Sequence, residues 1–297
     1  MSFAAVISGG VIVFVRLQNA RADTSSQAEQ TQGQTLPDKV VEGIGASADE
    51  QKAAATGKRN GSSASNGSGG SVSSSSNGST SSGGSGGGTS TAYLVALGDS
   101  LTNAAALQPS MPGDNRSYSF STGTSISSLY LTLKNLGLVT NATNLAVSGA
   151  TSASCLSGQV PSVAQYNPTY LSILIGGNDI IGLVAPATFQ SNLSSIAAQV
   201  QASGRRVLIG NIPNYANMMQ APIPACQANP LSPEQLAFLS WGLGQYNSAV
   251  SAVASQYGFT LVDLYSTLGQ SDISELDCLH VNIQGQQKMA SRFSSAL

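Results

Sequence analysis

From Ala92 onward, short apolar runs alternate with stripes of apolar residues at helical spacing. Such runs, when glycine or polar residues bound them, are typical of buried strands. We predict strands at residues 93–97, 144–147, 170–175, 206–212 and 259–264. Because helical stripes separate them, these strands are expected to form one five-stranded parallel sheet with helices on both faces.

Four helices are predicted from this spacing, and a fifth is expected to begin just after the first strand. The helix after Ser232 has the strongest signals, since Ser232 can cap it, Pro233 suits its first turn, Gln235 completes a capping box, and Gly258 can end it. Its apolar face, with Trp241 nearby, is expected to be core rather than a ligand-binding surface. Of the other predicted helices, one covers residues 125–136, and one carries residues 193–200 and ends at Gly204. A third begins near Asn282, and the helix after the first strand begins at residues 104–107.

Three of the predicted strands are followed directly by residues that suit chemistry at an acyl carbon. Ser100 follows the first strand in Gly98-Asp99-Ser100-Leu101, where a turn would expose its hydroxyl beside free backbone N–H groups. Gly149 and Asn178 follow the next two strands, and a glycine N–H or an asparagine amide can donate to an oxyanion. Each feature alone is also compatible with an ordinary turn at a strand end.

A base for Ser100 is offered by the chain's one histidine, His280. A serine hydroxyl is a poor nucleophile unless a base takes its proton, and the base needs an acceptor that orients its ring. Asp277 lies three residues earlier and can be that acceptor if one tight turn carries both side chains. Asp99, Asp179 and Asp263 are expected to be structural hydrogen-bond acceptors.

The residues above fall in four sequence blocks, at 98–101, at Gly149, at 176–179 and at 277–280. Four such blocks in this order resemble the SGNH-hydrolase (GDSL esterase/lipase) superfamily over residues 92–297. The resemblance implies a three-layer α/β/α flavodoxin-like sandwich with a central five-stranded parallel sheet, and hydrolysis of carboxylic esters. It implies Ser100 as nucleophile, His280 as base and Asp277 as its partner. It also implies an oxyanion hole of Ser100, Gly149 and Asn178.

The substrate class stays open at this stage. A lipid or short-chain acyl ester and an acetylated carbohydrate both fit the superfamily. From other classes, a surface binding domain with a decayed site and a tethered structural domain are alternatives, although intact residues in all four blocks argue against decay. We expect a small-molecule or lipid ester as partner, no cofactor, no nucleic acid and a monomeric chain.

Three cysteines, Cys155, Cys226 and Cys278, are too scattered for the usual metal-ligand spacings, so no metal site is expected. In an exported chain, one disulfide and one free thiol would be the natural arrangement. Cys226–Cys278 is the pairing that would fix the turn carrying Asp277 and His280. The alternative is three buried thiols.

Residues 214–230 form the longest irregular stretch in the predicted domain and are unusually apolar for a surface loop. Tyr215, Met218 and Met219 make this stretch a candidate flap over an acyl-binding pocket, with plain packing against the domain as the alternative. Residues 103–117, next to Ser100, are a second candidate wall. Within them, Arg116 is a candidate contact for an anionic substrate group, with a surface position as the alternative.

The first 91 residues differ in composition from the rest. Residues 1–22 are expected to be a signal peptide or short membrane anchor, because the apolar run is shorter than the ~20 residues that span a bilayer. Residues 23–60 are expected to be a loosely ordered tail and residues 61–91 a flexible Ser/Gly-rich linker. Charged residues make up only 9% of the chain and the net charge is −2, which argues against nucleic acid as a partner. An exported, cell-surface or extracellular protein, near a membrane or cell wall, is the expectation.

Overall fold

The computed structural model describes residues 2–8, 11–17 and 92–297. Strands β1 (Ser2–Ser8) and β2 (Val11–Leu17) pair in antiparallel fashion. The predicted tail at 23–60 and the predicted linker at 61–91 lie outside the described residues. The export signal or anchor at residues 1–22 stays a prediction. In the described part of the chain, no helix is both long and apolar enough to cross a membrane.

The predicted five-stranded parallel sheet is confirmed. Its strands are β3 (Tyr93–Gly98), β4 (Asn141–Asn144), β5 (Tyr170–Leu174), β6 (Arg206–Gly210) and β7 (Thr260–Val262). They lie in the order β4-β3-β5-β6-β7, and every neighbouring pair is parallel. This order is the flavodoxin-like one, in which ligands bind beyond the carboxyl ends of the strands where the order reverses. β3 and β5 flank that reversal.

One strand is shifted from its prediction. β4 ends at Asn144, where the sequence pattern placed its start. The apolar residues that follow still run beside β3, because Leu145 N donates to Ala96 O and Val147 N to Gly98 O at 2.9 and 3.2 Å. The apolar run therefore marks the exit of the strand toward the site rather than the strand itself.

Helices cover both faces of the sheet. They are α1 (Leu129–Asn135), α2 (Ser152–Ser154), α3 (Gly177–Ile181), α4 (Pro186–Val200), α5 (Tyr215–Met218), α6 (Pro224–Gln227), α7 (Pro233–Tyr257) and α8 (Ile283–Ser295). α1 and α8 contact each other on one face, and α4 and α7 contact each other on the opposite face. Each layer contains a tilted pair of aromatic rings, with centroids 4.6 Å apart for Phe120 and Phe293 and 4.7 Å apart for Phe189 and Tyr246.

The end signals of α7 act as predicted. Ser232 Oγ accepts from Gln235 N, Gln235 Oε1 accepts from Ser232 N, and Gly258 adopts φ 67° after the last turn. Asn282 likewise caps α8 through Gly285 N. The expectation that Trp241 belongs to the core is wrong, because it is 57% exposed.

Other helix predictions need correction. No helix begins at residues 104–107, because Ala104 and Ala106 adopt left-handed φ values of 52° and 48° that break a helix. α1 starts at Leu129, later than predicted, since Ser128 Oγ accepts from Leu131 N and so fixes the start. α4 ends at Val200, and Gly204 lies in the turn that follows it.

Candidate active site

Ser100 lies in the turn that follows β3, and the backbone leading to it is closely packed. A Cβ atom on Gly98 would lie 2.5 Å from the carbonyl oxygen of Leu174 on the neighbouring strand, so only glycine fits there. Asp99 Oδ1 then accepts from Leu101 N at 2.9 Å. Ala105 N donates to Ser100 O at 2.9 Å, which closes the turn.

Two buried glutamines hold this turn from both sides. Gln159, 3% exposed, accepts from Gly98 N at 2.9 Å and donates to Gly98 O at 2.8 Å. Gln286 of α8, which is fully buried, donates to Leu101 O at 2.8 Å and accepts from Phe120 N at 2.8 Å. The sequence analysis missed both residues, because glutamine is usually exposed and neither one stands in a recognisable motif.

Asp277 and His280 share one tight turn, as the spacing requires. His280 Nδ1 lies 2.6 Å from Asp277 Oδ2, and the backbone N–H groups of Leu279 and His280 both donate to Asp277 Oδ1 at 3.0 Å. Burial alone would raise the pKa of Asp277, but the hydrogen bond and charge of His280 and these two N–H groups outweigh it, so the pKa is lowered. The ionised carboxylate is thus fixed as the acceptor for the imidazole.

A disulfide anchors the same turn. Cys278, between Asp277 and His280, is bonded to Cys226 of α6, with the two Cα atoms 5.0 Å apart. Cys278 also adopts a left-handed φ of 54°, which is uncommon for a residue with a side chain. Cys155 is a free, buried thiol. The structure therefore brings together the two cysteines that the sequence analysis paired.

Asn178, in the first turn of α3, points its amide toward the loop after β4. Its Nδ2 donates to Ala150 O at 3.0 Å and lies 3.5 Å from Asp99 Oδ2. The neighbouring Asp179 accepts from Ser152 N at 2.7 Å and from Ser152 Oγ at 2.5 Å. These bonds fix α3 against the loop that carries Gly149, which adopts φ 80° and is exposed.

One cavity opens at this edge of the sheet, and Ser100, Asn178 and His280 all line it. We call it the Ser100 cavity; its empty space, including the part open to solvent, is about 760 Å³. Ser100 and His280 form no hydrogen bond within this described part of the chain, a contact that often tightens only with substrate. Gly149 does not line the cavity. The other lining residues are Asp99, Leu101, Gly177, Ile180, Ile181, Tyr215, Met219, Leu231, Gln235, Phe238, Leu239 and Leu279.

Residues 214–230 are less irregular than expected, because they contain the two short helices α5 and α6, with turns and irregular chain around them. Tyr215 and Met219 line the Ser100 cavity, whereas Met218 is fully buried and does not. Burial also raises the pKa of Tyr215 well above its usual range, so its hydroxyl stays protonated.

Residues 103–117 do not form the second wall, because they brace the loop after β4. Asn103, fully buried, donates to Ala146 O at 3.1 Å and accepts from Arg116 Nε at 2.9 Å. Ser148 Oγ donates to Asp114 Oδ1 at 2.5 Å. Arg116 is exposed and also donates to Ala146 O at 3.2 Å, so its guanidinium supports the loop beside Gly149 rather than the cavity.

Asp99 and Asp263, like Asp179, accept hydrogen bonds, as the sequence analysis predicted. Asp99 is 3% exposed, and burial raises its pKa to about 6, although the Leu101 N–H and the nearby His280 partly oppose this. Asp263 accepts from Asn211 Nδ2 at 3.0 Å and from Ser266 N at 3.2 Å. Among residues 92–297, His, Cys, Asp and Glu side chains form no cluster of three that could hold a metal ion.

Comparisons with known proteins find a relative in sequence and similar folds among solved structures. The chain is 36% identical over 125 residues to Esterase TesA of Pseudomonas aeruginosa, a match that spans 41% of this chain and 56% of that esterase. A solved structure of TesA superposes with a TM-score of 0.51 at 24% identity, covering 69% of this chain and 97% of that one. Phospholipase A1 from Streptomyces albidoflavus superposes with a TM-score of 0.53 at 17% identity, covering 70% and 98%.

The family comparison includes each block described above. The pattern of the GDSL-like Lipase/Acylhydrolase family matches residues 96–288, which include Ser100, Gly149, Asn178, Asp277 and His280. The chain belongs to the GDSL-like Lipase/Acylhydrolase family of ester hydrolases.

Proposed function

We propose that this chain is a serine esterase that cleaves apolar acyl esters through Ser100, His280 and Asp277. The observation that carries the proposal is that Ser100, Asn178 and His280 line one cavity while Asp277 holds the imidazole from behind. The partial similarity to Esterase TesA supports the same reaction.

The geometry supports a two-step mechanism. With its proton on Nδ1, His280 donates to Asp277 and keeps Nε2 free to take the proton of Ser100 Oγ. Ser100 Oγ then bonds to the ester carbonyl carbon, and the C–O bond to the alcohol breaks as His280 returns the proton to the leaving oxygen. Water, deprotonated by His280, cleaves the acyl-enzyme in the same way and frees the carboxylic acid.

The oxyanion in this mechanism would be held by neutral donors. We assign these to the Ser100 N–H, the Gly149 N–H and the Asn178 amide. Asn178 Nδ2 donates one hydrogen bond to Ala150 O at 3.0 Å, and it lies 3.5 Å from Oδ2 of the buried Asp99, a long contact that an oxyanion can replace. Gly149 is the least supported of the three, since it does not line the Ser100 cavity.

The cavity walls favour an acyl chain over a sugar. Away from Ser100, the walls consist mostly of aliphatic and aromatic side chains from α3 and α7, including Ile180, Ile181, Phe238 and Leu239. A carbohydrate would leave hydroxyl groups unpaired against these walls, which costs binding free energy. An acyl chain loses only its contact with water there.

The disulfide also supports the predicted export. Cys226–Cys278 would persist in an oxidising environment and would be reduced in most cytosols. We therefore propose that the protein works outside the cytosol, as the first 22 residues suggest.

Ser100→Ala tests the catalytic proposal. We expect the variant to stay folded and to hydrolyse p-nitrophenyl butanoate at least about a thousandfold more slowly. It should also lose labelling by a fluorophosphonate probe, whereas Ser157→Ala, an exposed serine outside the cavity, should react as the wild type does. Wild-type turnover by Ser100→Ala would reject the mechanism. Faster turnover of acetylated xylan than of p-nitrophenyl butanoate would reject apolar acyl esters as the substrate class.

A further inference from the structure

Trp241 is the chain's one tryptophan, and it is 57% exposed on α7. An indole ring contributes most when it is buried, so this position forgoes hydrophobic stabilisation. A single exposed apolar residue needs no explanation by itself. The role of Trp241 is inferred from the residues next to it on α7.

Trp241 lies next to a residue in the wall of the Ser100 cavity. Phe238 and Leu239 line the cavity on α7, and the Phe238 ring centroid lies 5.9 Å from that of Trp241. Three residues advance about 4.5 Å along a helix, so Trp241 lies just under one turn after Phe238 on α7. The two neighbouring rings form an apolar path from the cavity wall to the exposed surface of α7.

The chemistry along this path suits an uncharged, apolar ligand. Glu234 is the one charged residue in α7, and it lies in the first turn of the helix, about two turns before Trp241. Within the cavity lining, the only acidic or basic side chains are Asp99 and His280 beside Ser100. A ligand whose reactive group is at Ser100 would thus meet mostly apolar side chains over the rest of its length.

We propose that Phe238 and Trp241 form an outer subsite that binds the distal part of a medium- or long-chain acyl group. The subsite rests on the proposed esterase function, which places the acyl carbonyl at Ser100. Short acyl groups end inside the cavity and do not reach Trp241. Trp241 is therefore a specificity-determining residue for acyl length.

A comparison of two substrates tests this in kinetics. We expect Trp241→Ala to lower the ratio of kcat/KM for p-nitrophenyl dodecanoate to that for the butanoate at least about fivefold, since truncation of an exposed aromatic contact removes part of its binding. Both esters are used below the concentration at which they aggregate. Leu136→Ala, at a similarly exposed apolar residue (61%) outside the cavity lining, is the control and should keep the wild-type ratio. An unchanged ratio in Trp241→Ala would overturn the subsite.

The single tryptophan allows a second test that needs no turnover. Titration of dodecanoate into the Ser100→Ala variant should shift the Trp241 emission to shorter wavelength, because the acyl chain displaces water from the indole. Acetate should cause no shift, and Phe238→Ala should weaken the response to dodecanoate several-fold. No shift with dodecanoate would overturn the subsite, whereas an esterase activity that survives Ser100→Ala would overturn the proposed function alone.

Two other occupants of the Trp241 surface are distinguished by the same measurements. If Trp241 docked on a lipid surface, Trp241→Ala would slow hydrolysis only of micellar or vesicle-bound esters and would leave the ratio for dissolved esters unchanged. If a second copy of the chain covered it, emission would change with protein concentration in the absence of dodecanoate. Either result would overturn the acyl subsite.

Discussion

Gln159 holds both backbone groups of Gly98: its Oε1 accepts from the amide nitrogen at 2.9 Å, and its Nε2 donates to the carbonyl oxygen at 2.8 Å. Because Gly98 ends the strand that delivers Ser100, this side chain sets the direction in which the chain turns. The Gly98 carbonyl has a second partner in Val147 N, at 3.2 Å. The Gly98 amide depends on Gln159.

We predict that Gln159→Ala lowers the free energy of unfolding by about 2–4 kcal/mol, since it leaves a buried N–H without a partner and opens a cavity. Urea denaturation measures this loss. Gln245→Ala, an exposed glutamine on α7, should change it by less than about 0.5 kcal/mol. A similarly small loss for Gln159→Ala would mean that the two hydrogen bonds between Gln159 and Gly98 contribute nothing to stability.

The buried Asp99 predicts a pH dependence of stability. Burial raises its pKa from 3.8 to about 6, so the folded protein binds this proton more tightly than the unfolded chain does. Its contribution to stability is therefore present below pH 3.8 and is lost as the pH rises through about 6. The difference in pKa corresponds to about 3 kcal/mol.

Asp99→Asn should remove that dependence. Subtracting the unfolding free energies of wild type and variant at pH 4 and pH 7 cancels the other titrating groups. From pH 4 to pH 7, we expect the unfolding free energy of the variant to rise relative to that of the wild type by up to about 3 kcal/mol. Parallel stability profiles would show that Asp99 ionises at its ordinary pH in the folded protein.

Reduction of Cys226–Cys278 is predicted to lower kcat more than it raises KM, because it frees the turn that orients Asp277 and His280. Opening a link across 52 residues should also cost up to about 4 kcal/mol of stability. Steady-state kinetics with and without dithiothreitol measure the first effect. Cys155→Ala should keep the full response to reductant, since that thiol is not bonded.

Thiol titration gives a direct check of the pairing. The unfolded, unreduced protein should expose one thiol and the reduced protein three. Three thiols without reductant would contradict the disulfide.

Asn178→Ala should lower kcat for p-nitrophenyl butanoate about a hundredfold or more with little change in KM, if its amide donates to the oxyanion. The reason is that this hydrogen bond strengthens as the carbonyl oxygen becomes negative. Asn141→Ala, an exposed asparagine at the far end of β4, is the matched control and should keep wild-type kinetics. If Asn178→Ala instead lowered kcat/KM by the same factor through a higher KM, with kcat unchanged, Asn178 would be a substrate-binding residue.

Local signals explain why much of the fold was predictable. Ser232 and Gln235 set the start of α7 and Gly258 sets its end, in each case through a bond or a backbone angle local to that end. The same holds for Asp277 and His280, which one turn brings together. Errors arose where a local preference was overruled, as at Ala104 and Ala106, whose left-handed conformations replace the expected helix.

By itself, the sequence determined the number of strands in the sheet, both ends of α7, the start of α8 and the identity of the candidate catalytic side chains. These depend on periodicity, backbone preferences and short spacings. Only the tertiary structure decided that Gln159 and Gln286 hold the Ser100 turn, that residues 103–117 brace rather than line the site, and that Trp241 is exposed beside the cavity. Such roles depend on contacts between residues as far apart as Leu101 and Gln286, 185 positions in the chain, and no local preference encodes which distant partner a side chain will meet.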